Sequence, residues 1–315
     1  MLNYITRRII IQIGLICLIA CISFLFIHII PGNPATIMLG ESATPENIKE
    51  AIHELKLDLP IHVQFISWVK GVLHGNFGKS YFMREEVKVI LARRFPRTFW
   101  LAIYAVFITI LIGIPMGIIA AINHNTLLDK AIIIICTSFL SIPIFVLALS
   151  LMFIFAVRLG WFPVAGSYVS PFADLIGSIK GLFLPALSIS SMSLAYLARM
   201  TRSAMLEIMN KDFIRTARAK GLKEKTVIIK HMLKPASITI ISCLGLTFGS
   251  LLGGTIISET VFVVPGIGRL MYESVLARDY LVIQSLILFV GIIYSLVNLV
   301  TDILYAAVDP RISYN

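Results

Sequence analysis

Charged residues are scarce in this sequence. Asp, Glu, Lys and Arg make up 14% of its 315 residues, whereas they make up about a quarter of ordinary soluble domains. Acidic residues are fewer than basic residues, with 17 Asp and Glu against 27 Lys and Arg. Hydrophobic residues account for 58%, and the mean hydropathy is +0.90. This balance indicates a membrane protein, in which the net charge of +10 reports topology and not a nucleic-acid partner.

Cysteine is also rare. The four cysteines, Cys17, Cys21, Cys136 and Cys243, all lie inside long apolar runs. This placement argues against a disulfide framework. Cys17 and Cys21 are one helical turn apart and could share a metal, but packing as small hydrophobic residues is the favoured interpretation.

Motifs for nucleotide or zinc chemistry are absent. The segment Gly78-Lys79-Ser80 resembles the end of a phosphate-binding P-loop, but Leu73 stands where the first glycine is required. A zinc-protease pattern begins at His53 and fails at Leu57, where the second histidine should stand. We therefore expect no catalytic residue, bound cofactor or metal in this chain.

Long uncharged runs are abundant. Six of them are long enough to cross a bilayer: 9–30, 99–122, 131–157, 181–198, 236–258 and 281–301. The run at 181–198 is the weakest. The sequence predicts an all-α polytopic membrane protein with six transmembrane helices.

Basic residues set the predicted orientation. Arg7 and Arg8 precede the first run and place the N-terminus in the cytoplasm, and six spans return the C-terminus there. The chain then divides into the N-terminus and first helix (1–30), a large extracytoplasmic helical subdomain (31–98) and a core with five transmembrane helices (99–315). Within the subdomain we expect helices from Pro45 to Leu57, over 61–73 and over 85–95.

Small residues mark close helix contacts. Gly245, Gly249 and Gly253 form a small-xxx-small stripe on the fifth span, which predicts packing either within the chain or between subunits. Gly113 and Gly117 flank Pro115 on the second span and predict packing within the chain.

Polar residues in or beside the spans are candidates for a translocation path or gate. Ser188 and Ser191 belong to a serine cluster in the fourth span, where they either line a path or bond to their own helix. Glu259 ends the fifth span and is a candidate gate residue. For Asp302, in the sixth span, a structural ion pair is preferred.

The segment 199–234 is the most basic part of the chain, with ten Lys or Arg against three acids. It falls in the cytoplasm, where most of it forms the loop 203–234. On a helix, Met209, Phe213 and Ala217 form an apolar stripe opposite a basic stripe, and Gly221 ends the helix. Pattern alone leaves two interpretations open, docking to a partner or lying on anionic lipid.

No energy-converting motif accompanies these spans. Six spans without a catalytic or energy-converting motif fit a transporter subunit driven by another protein, an ion-coupled carrier or a channel. The segment Arg215–Gly221, R-T-A-R-A-K-G, resembles the EAA signature of permeases of binding-protein-dependent ABC importers, in the dipeptide, oligopeptide and nickel family. The resemblance covers almost the whole chain and extends to the segments 31–34, 57–60 with Gln64, 75–80, 94–98, Glu259 with Phe262, 265–268, 278–280 and 302–311.

The resemblance implies a B-type permease subunit of the bacterial or archaeal cytoplasmic membrane. Its implied partners are a paralogous C-type permease, two cytoplasmic ABC ATPases that bind ATP and Mg, an extracytoplasmic solute-binding protein and membrane lipid, with no nucleic acid. Cargo stays open among dipeptides, oligopeptides, nickel, metal chelates and glutathione-like compounds. The resemblance adds Phe262, Pro265 and Gly266 to the candidate path or gate. The implied ATPase-coupling residues are Met209, Asp212, Phe213, Arg215, Thr216, Ala217, Arg218, Ala219, Lys220 and Gly221.

Overall fold

The computed structural model describes residues 2–29, 39, 44–54, 58–166 and 168–308. Within these ranges the chain forms helices and no strand, which confirms the all-α prediction. The helices are α1 (Leu2–Ile29), α2 (Pro45–Glu54), α3 (Ile61–Leu73), α4 (Val87–Ile108), α5 (Ile114–Ile122), α6 (Leu127–Ser141), α7 (Ile144–Leu151), α8 (Leu175–Met209), α9 (Asp212–Ala219), α10 (Glu224–Thr226), α11 (Leu233–Val261), α12 (Ile267–Leu276) and α13 (Tyr280–Val308). Three π-helical segments continue α4, α7 and α10: Thr109–Gly113, Met152–Arg158 and Val227–Met232.

Membrane-spanning helices follow the apolar runs. Five helical stretches among the described residues are long and apolar enough to span a membrane, and a bent pair makes a sixth span. That pair is the predicted span 131–157, where α6 and the helix from Ile144 to Arg158 meet at 105°. Pro143 causes the break, because a residue before proline is driven to extended backbone, and Ile142 has φ −78° and ψ 124°.

The helix that begins at Val87 continues without interruption to Ile122, over 36 residues. The expected separate helix over 85–95 is therefore wrong, because Pro96 is accommodated inside α4. The division at residue 98 falls within this continuous helix, and the separation of a subdomain from the core stays a prediction.

Helix α8 forms the centre of the bundle and packs against α4, α5, α6, α7 and α11. Two glycines allow α8 to pack closely against the helical stretch that contains Gly113 and Gly117. A Cβ on Gly117 would lie 2.5 Å from the carbonyl oxygen of Ala198, and a Cβ on Gly113 would lie 3.1 Å from the carbonyl oxygen of Leu194. These distances confirm the predicted packing within the chain. They also show that α5 and α8 run in the same direction, because a step of four residues from Gly113 to Gly117 matches a step of four residues from Leu194 to Ala198.

Helix α1 packs against α13 and is otherwise largely exposed, as expected of a lipid-facing span. A salt bridge of 3.2 Å joins Arg8 to Asp302 and confirms the structural ion pair predicted for that acid. Cys17 and Cys21 are free and exposed on α1, so they do not pack into the core of this chain.

Candidate functional site

The predicted coupling segment forms its own short helix, α9, two residues after the end of α8. Gly221 has φ +73° and follows the last turn, which confirms that it ends the helix in the left-handed conformation. Two residues, Ile214 and Ala217, are buried in a cluster with Met205, Val227 and Met232. The chain therefore holds α9 in place by its own apolar contacts.

Burial divides the predicted apolar stripe of α9. Ala217 is 6% exposed and faces the chain's own core, and Met209 packs against the same cluster, whereas Phe213 is 48% exposed. The expectation that Phe213 and Ala217 share one partner-facing surface is therefore wrong. Ile214, which the sequence reasoning missed, occupies the buried face because it lies one turn, three residues, before Ala217.

The polar residues of α9 face outward. Asp212, Arg215, Thr216, Ala219 and Lys220 are all exposed. Arg218 donates a 2.6 Å hydrogen bond from Nη2 to the Glu224 carboxylate, which raises the pKa of the Arg218 guanidinium above its ordinary value. This pair connects α9 to α10. Phe213 and Arg215 have exposed side chains that do not take part in it.

A buried ion pair that the sequence reasoning missed lies at the same end of the bundle. Asp129 is 1% exposed and accepts hydrogen bonds of 2.7 Å from both Nε and Nη2 of Arg202. The Asn125 main-chain N–H also donates to Asp129, and His124 lies 3.0 Å from Arg202. The pair fixes the start of α6 to the end of α8, close to α9. We name this end of the molecule the α9 end.

The candidate gate residue Glu259 lies at the opposite end, which we name the Glu259 end. It is fully buried, and its carboxylate accepts a 2.6 Å hydrogen bond from the Thr98 hydroxyl and one of 2.9 Å from the Arg269 main-chain N–H. Thr98 Oγ1 in turn accepts from the Ile267 N–H at 2.8 Å. Glu259 thus satisfies the N-terminus of α12 and connects it to α4 through neutral donors.

The turn from Phe262 to Gly266 is packed around that carboxylate. Phe262 is buried, and its carbonyl accepts a hydrogen bond from the Gly166 N–H. Val263 has φ +57°, which is unusual for a β-branched residue. A Cβ on Gly266 would meet the Glu259 carboxylate, so only glycine fits, and Pro265 is half-buried beside it. The structure brings Gly266 against the Glu259 carboxylate, and a gate role for Glu259, Phe262, Pro265 and Gly266 stays a prediction.

The two serine candidates are buried in the helix bundle. Ser188 donates to the Pro185 carbonyl at 2.8 Å and lies 3.1 Å from the Ser258 hydroxyl, across to α11. Ser191 donates to the Ser188 carbonyl at 2.8 Å. Their hydroxyls serve the bundle itself, and a role in lining a path stays a prediction.

Gly245 packs within the chain, because a Cβ there would meet the Thr301 methyl group of α13. Of the two interpretations of the glycine stripe, this favours intrachain contact at Gly245. The surroundings of Gly249 and Gly253 lie outside the part of the chain that the structure describes.

The rejected P-loop segment has a structural role instead. Ser80 donates a 2.5 Å hydrogen bond to the buried Asp279, which also accepts from the Phe82 N–H. Gly78 has φ +84° in the same turn. These contacts connect the loop before α4 to the start of α13 at the Glu259 end.

Solved structures of transport proteins share this fold. Solved inward-facing structures of the MetNI methionine ABC transporter match this fold with TM-scores of 0.59 and 0.60, at 20% and 21% identity, over 70% of this chain and 96% of theirs. The fold is therefore that of an ABC-transporter membrane subunit.

Sequence relatives identify the family. The glutathione transport system permease protein of Salmonella typhi is 40% identical over 314 residues, which is 100% of both chains. A Brucella abortus protein provisionally named a peptide transport system permease is 39% identical over 312 residues, 99% of both chains. The family model of binding-protein-dependent transport system inner membrane components matches residues 113–314, and the N-terminal model for such membrane components matches 1–102. The chain belongs to this family.

Membership confirms the resemblance found in the sequence. The chain is a multi-pass permease subunit of a bacterial ABC importer, a class that works with ATPase subunits and a binding protein. The similarities support this function and not an ion-coupled carrier or channel.

Proposed function

We propose that this chain is the B-type subunit of a peptide-importing or glutathione-importing ABC transporter and that α9 is the element through which ATPase movement reaches the membrane. The permease relatives named above support the cargo class. Nickel or a metal chelate is the second cargo class of the wider family, and no relative cited here is named for it.

The strongest support for coupling is the arrangement of α9. Ile214 and Ala217 attach the helix to its own chain, while Phe213 stays 48% exposed and Arg215, on a different side of the helix, is exposed as well. Aromatic residues and arginine are enriched among the residues that dominate protein–protein contacts. A helix held on one face and unpartnered on the other suits insertion into a groove of the ATPase.

Charge supports the orientation. The α9 end contains the basic segment 199–234, and the Arg8–Asp302 pair joins the start of α1 to the last turns of α13, which begins at the opposite end beside Asp279. Because basic loops stay in the cytoplasm, both termini and α9 are cytoplasmic, and the Glu259 end faces outward.

The complete transporter contains a paralogous C-type permease as heterodimer partner, two ATPases that bind ATP and Mg, and an extracytoplasmic solute-binding protein. Lipid covers the exposed faces of the spans. This chain binds no nucleotide itself in the proposed mechanism, and ATPase closure displaces α9 and switches access to the solute.

The test is to assemble the full transporter in proteoliposomes with Phe213→Ala and Arg215→Glu variants. We expect binding-protein-stimulated ATP hydrolysis and uptake to fall by about tenfold or more in each, because contacts of this type dominate interfaces. Assembly of the permease pair in the membrane should be unchanged, since both side chains are exposed.

Phe107→Ala is the matched control, because Phe107 is 61% exposed on α4 in the middle of a span and should leave coupling intact. Ala217 is unsuitable for this test, since a larger side chain there would disrupt the chain's own core. Normal coupled hydrolysis in Phe213→Ala and Arg215→Glu would refute the role of α9.

A further inference from the structure

Arginine side chains cluster at the Glu259 end, where α4 begins. Arg94 and Arg269 share one acid, Glu273, at 3.4 Å and 2.7 Å. Arg93 is bonded separately to Glu85 at 2.6 Å. Arg93, Arg97 and Arg269 all lie close enough to Arg94 for electrostatic repulsion. The acids in this cluster are therefore used by arginines other than Arg97.

Arg97 is the unbalanced charge of the cluster. Its Nη1 donates to the Arg93 carbonyl at 2.7 Å, but its Nε is buried and has no hydrogen-bond partner among the residues that the structure describes. None of the salt bridges found in these residues involves Arg97. A guanidinium has five N–H donors in a planar fork suited to a carboxylate, and the one hydrogen bond found for Arg97 uses only Nη1, so the fork keeps donors for an anionic acceptor.

Aromatic residues complete the surroundings of Arg97. Its guanidinium lies 5.4 Å from the centre of the Tyr168 ring, within the range of a cation–π contact. One turn along α4, Trp100 packs against Phe172, which is 90% exposed. The site therefore combines a positive group with an exposed apolar surface. Thr98, the next residue after Arg97, is the donor to Glu259, so the site adjoins the candidate gate.

We propose that Arg97, on the platform of Tyr168, binds a carboxylate of the transported solute on the outward side of the permease. The inference rests on the proposed function and narrows it. Peptides and glutathione carry free carboxylates, which an unpaired arginine attracts. The same arginine repels a bare metal cation. The cargo class is therefore an amino-acid-derived anion or zwitterion, and its side chains contact the aromatic surface of Trp100 and Phe172.

The direct test measures solute binding to the assembled transporter in nanodiscs without its binding protein, by saturation-transfer NMR. The probes are trialanine and trialanine amide, which differ only in the C-terminal charge. In the wild type, trialanine should bind about tenfold more tightly than the amide, as a charge-assisted hydrogen bond predicts. Arg97→Gln should abolish this preference, and Arg97→Lys should restore part of it, because lysine keeps the charge and loses the fork.

Arg93→Gln is the matched control, because Arg93 is an exposed arginine one turn away that already has its own acid. It should leave the preference for trialanine unchanged. Equal binding of the two probes to the wild type, or an unchanged preference in Arg97→Gln, would overturn the proposal. So would co-purification of anionic lipid that is lost in Arg97→Gln, since the anion would then be a lipid phosphate.

Failure of this site and failure of the proposed function give different results. Arg97→Gln should still assemble and should keep the ATP hydrolysis that an empty binding protein stimulates. If the wild type itself shows no ATP-driven, binding-protein-dependent uptake of any peptide, the proposed function fails whatever Arg97 does.

Discussion

Two carboxylates, Asp129 and Glu259, are buried at opposite ends of this molecule and are satisfied in opposite ways. At the α9 end, Asp129 is held by the fixed positive charge of Arg202 through two 2.7 Å hydrogen bonds. At the Glu259 end, the carboxylate is held by neutral donors, the Thr98 hydroxyl and a main-chain N–H of α12.

The difference separates two kinds of connection. An ion pair that loses one member leaves an uncompensated buried charge, so the α9 end is fixed strongly. At the Glu259 end no charged partner is left behind when one neutral donor is lost, so we expect a smaller loss of stability there. This asymmetry suits the proposed mechanism, in which the ATPase acts at the α9 end and solute enters at the Glu259 end.

The largest effect should come from breaking the ion pair. Arg202→Met keeps side-chain length and removes the charge, and it should destabilise the protein by about 3 kcal/mol, near the lower range for buried pairs because Arg202 is partly exposed. The midpoint of thermal unfolding in detergent measures this change. Arg199→Met, an exposed arginine on the same helix, should leave the midpoint nearly unchanged. Equal midpoints for the two variants would contradict the importance of the pair.

A smaller effect should come from the neutral network. Thr98→Val is isosteric and removes the hydroxyl that donates to Glu259 and accepts from the Ile267 N–H. It should destabilise the protein by about 2 kcal/mol in the same assay, less than Arg202→Met. Thr109→Val is the control, because the buried Thr109 hydroxyl bonds only to the Ala105 carbonyl of its own helix in the described structure. A larger loss for Thr98→Val than for Arg202→Met would reverse the comparison.

The smallest effect should come from the pair between Arg8 and Asp302, whose side chains are 39% and 17% exposed. Arg8→Gln should cost less than about 1 kcal/mol, because water screens this pair. Arg7→Gln, at the exposed neighbouring position, sets the baseline. A loss of stability as large as that of Arg202→Met would show that exposure to water does not weaken the Arg8–Asp302 pair.

The sequence predicted the spans well and their interruptions poorly. Length and absence of charge are sufficient to find a membrane helix, so the runs at 9–30 and 281–301 correspond to α1 and α13. The 105° bend at Pro143 and the passage of α4 through Pro96 were not predictable. The same residue type breaks one helix and is accommodated in another, and tertiary packing decides between these outcomes.

The candidate sites show the same limit. Glu259 was identifiable because an acid at the end of a span is costly, and Gly221 because it follows an amphipathic segment. Thr98 and Asp129 were missed, since their partners, Glu259 and Arg202, are 161 and 73 residues away in the chain. Ile214 was missed because the helical spacing of apolar residues does not say which of them, in a short helix, is buried against the rest of the chain.

Helix α8 has a mechanical consequence for how the two ends communicate. Its 35 residues form a rod of about 52 Å, and only two residues separate it from α9. A rod of that length, tilted by about 5° about one end, moves its other end by about 4.5 Å. Because α8 packs against five neighbouring helices, such a tilt would shift the bundle around it. In the proposed mechanism, a tilt of α8 that follows a displacement of α9 would therefore become a several-ångström movement at the other end of the helix, where α8 begins at Leu175.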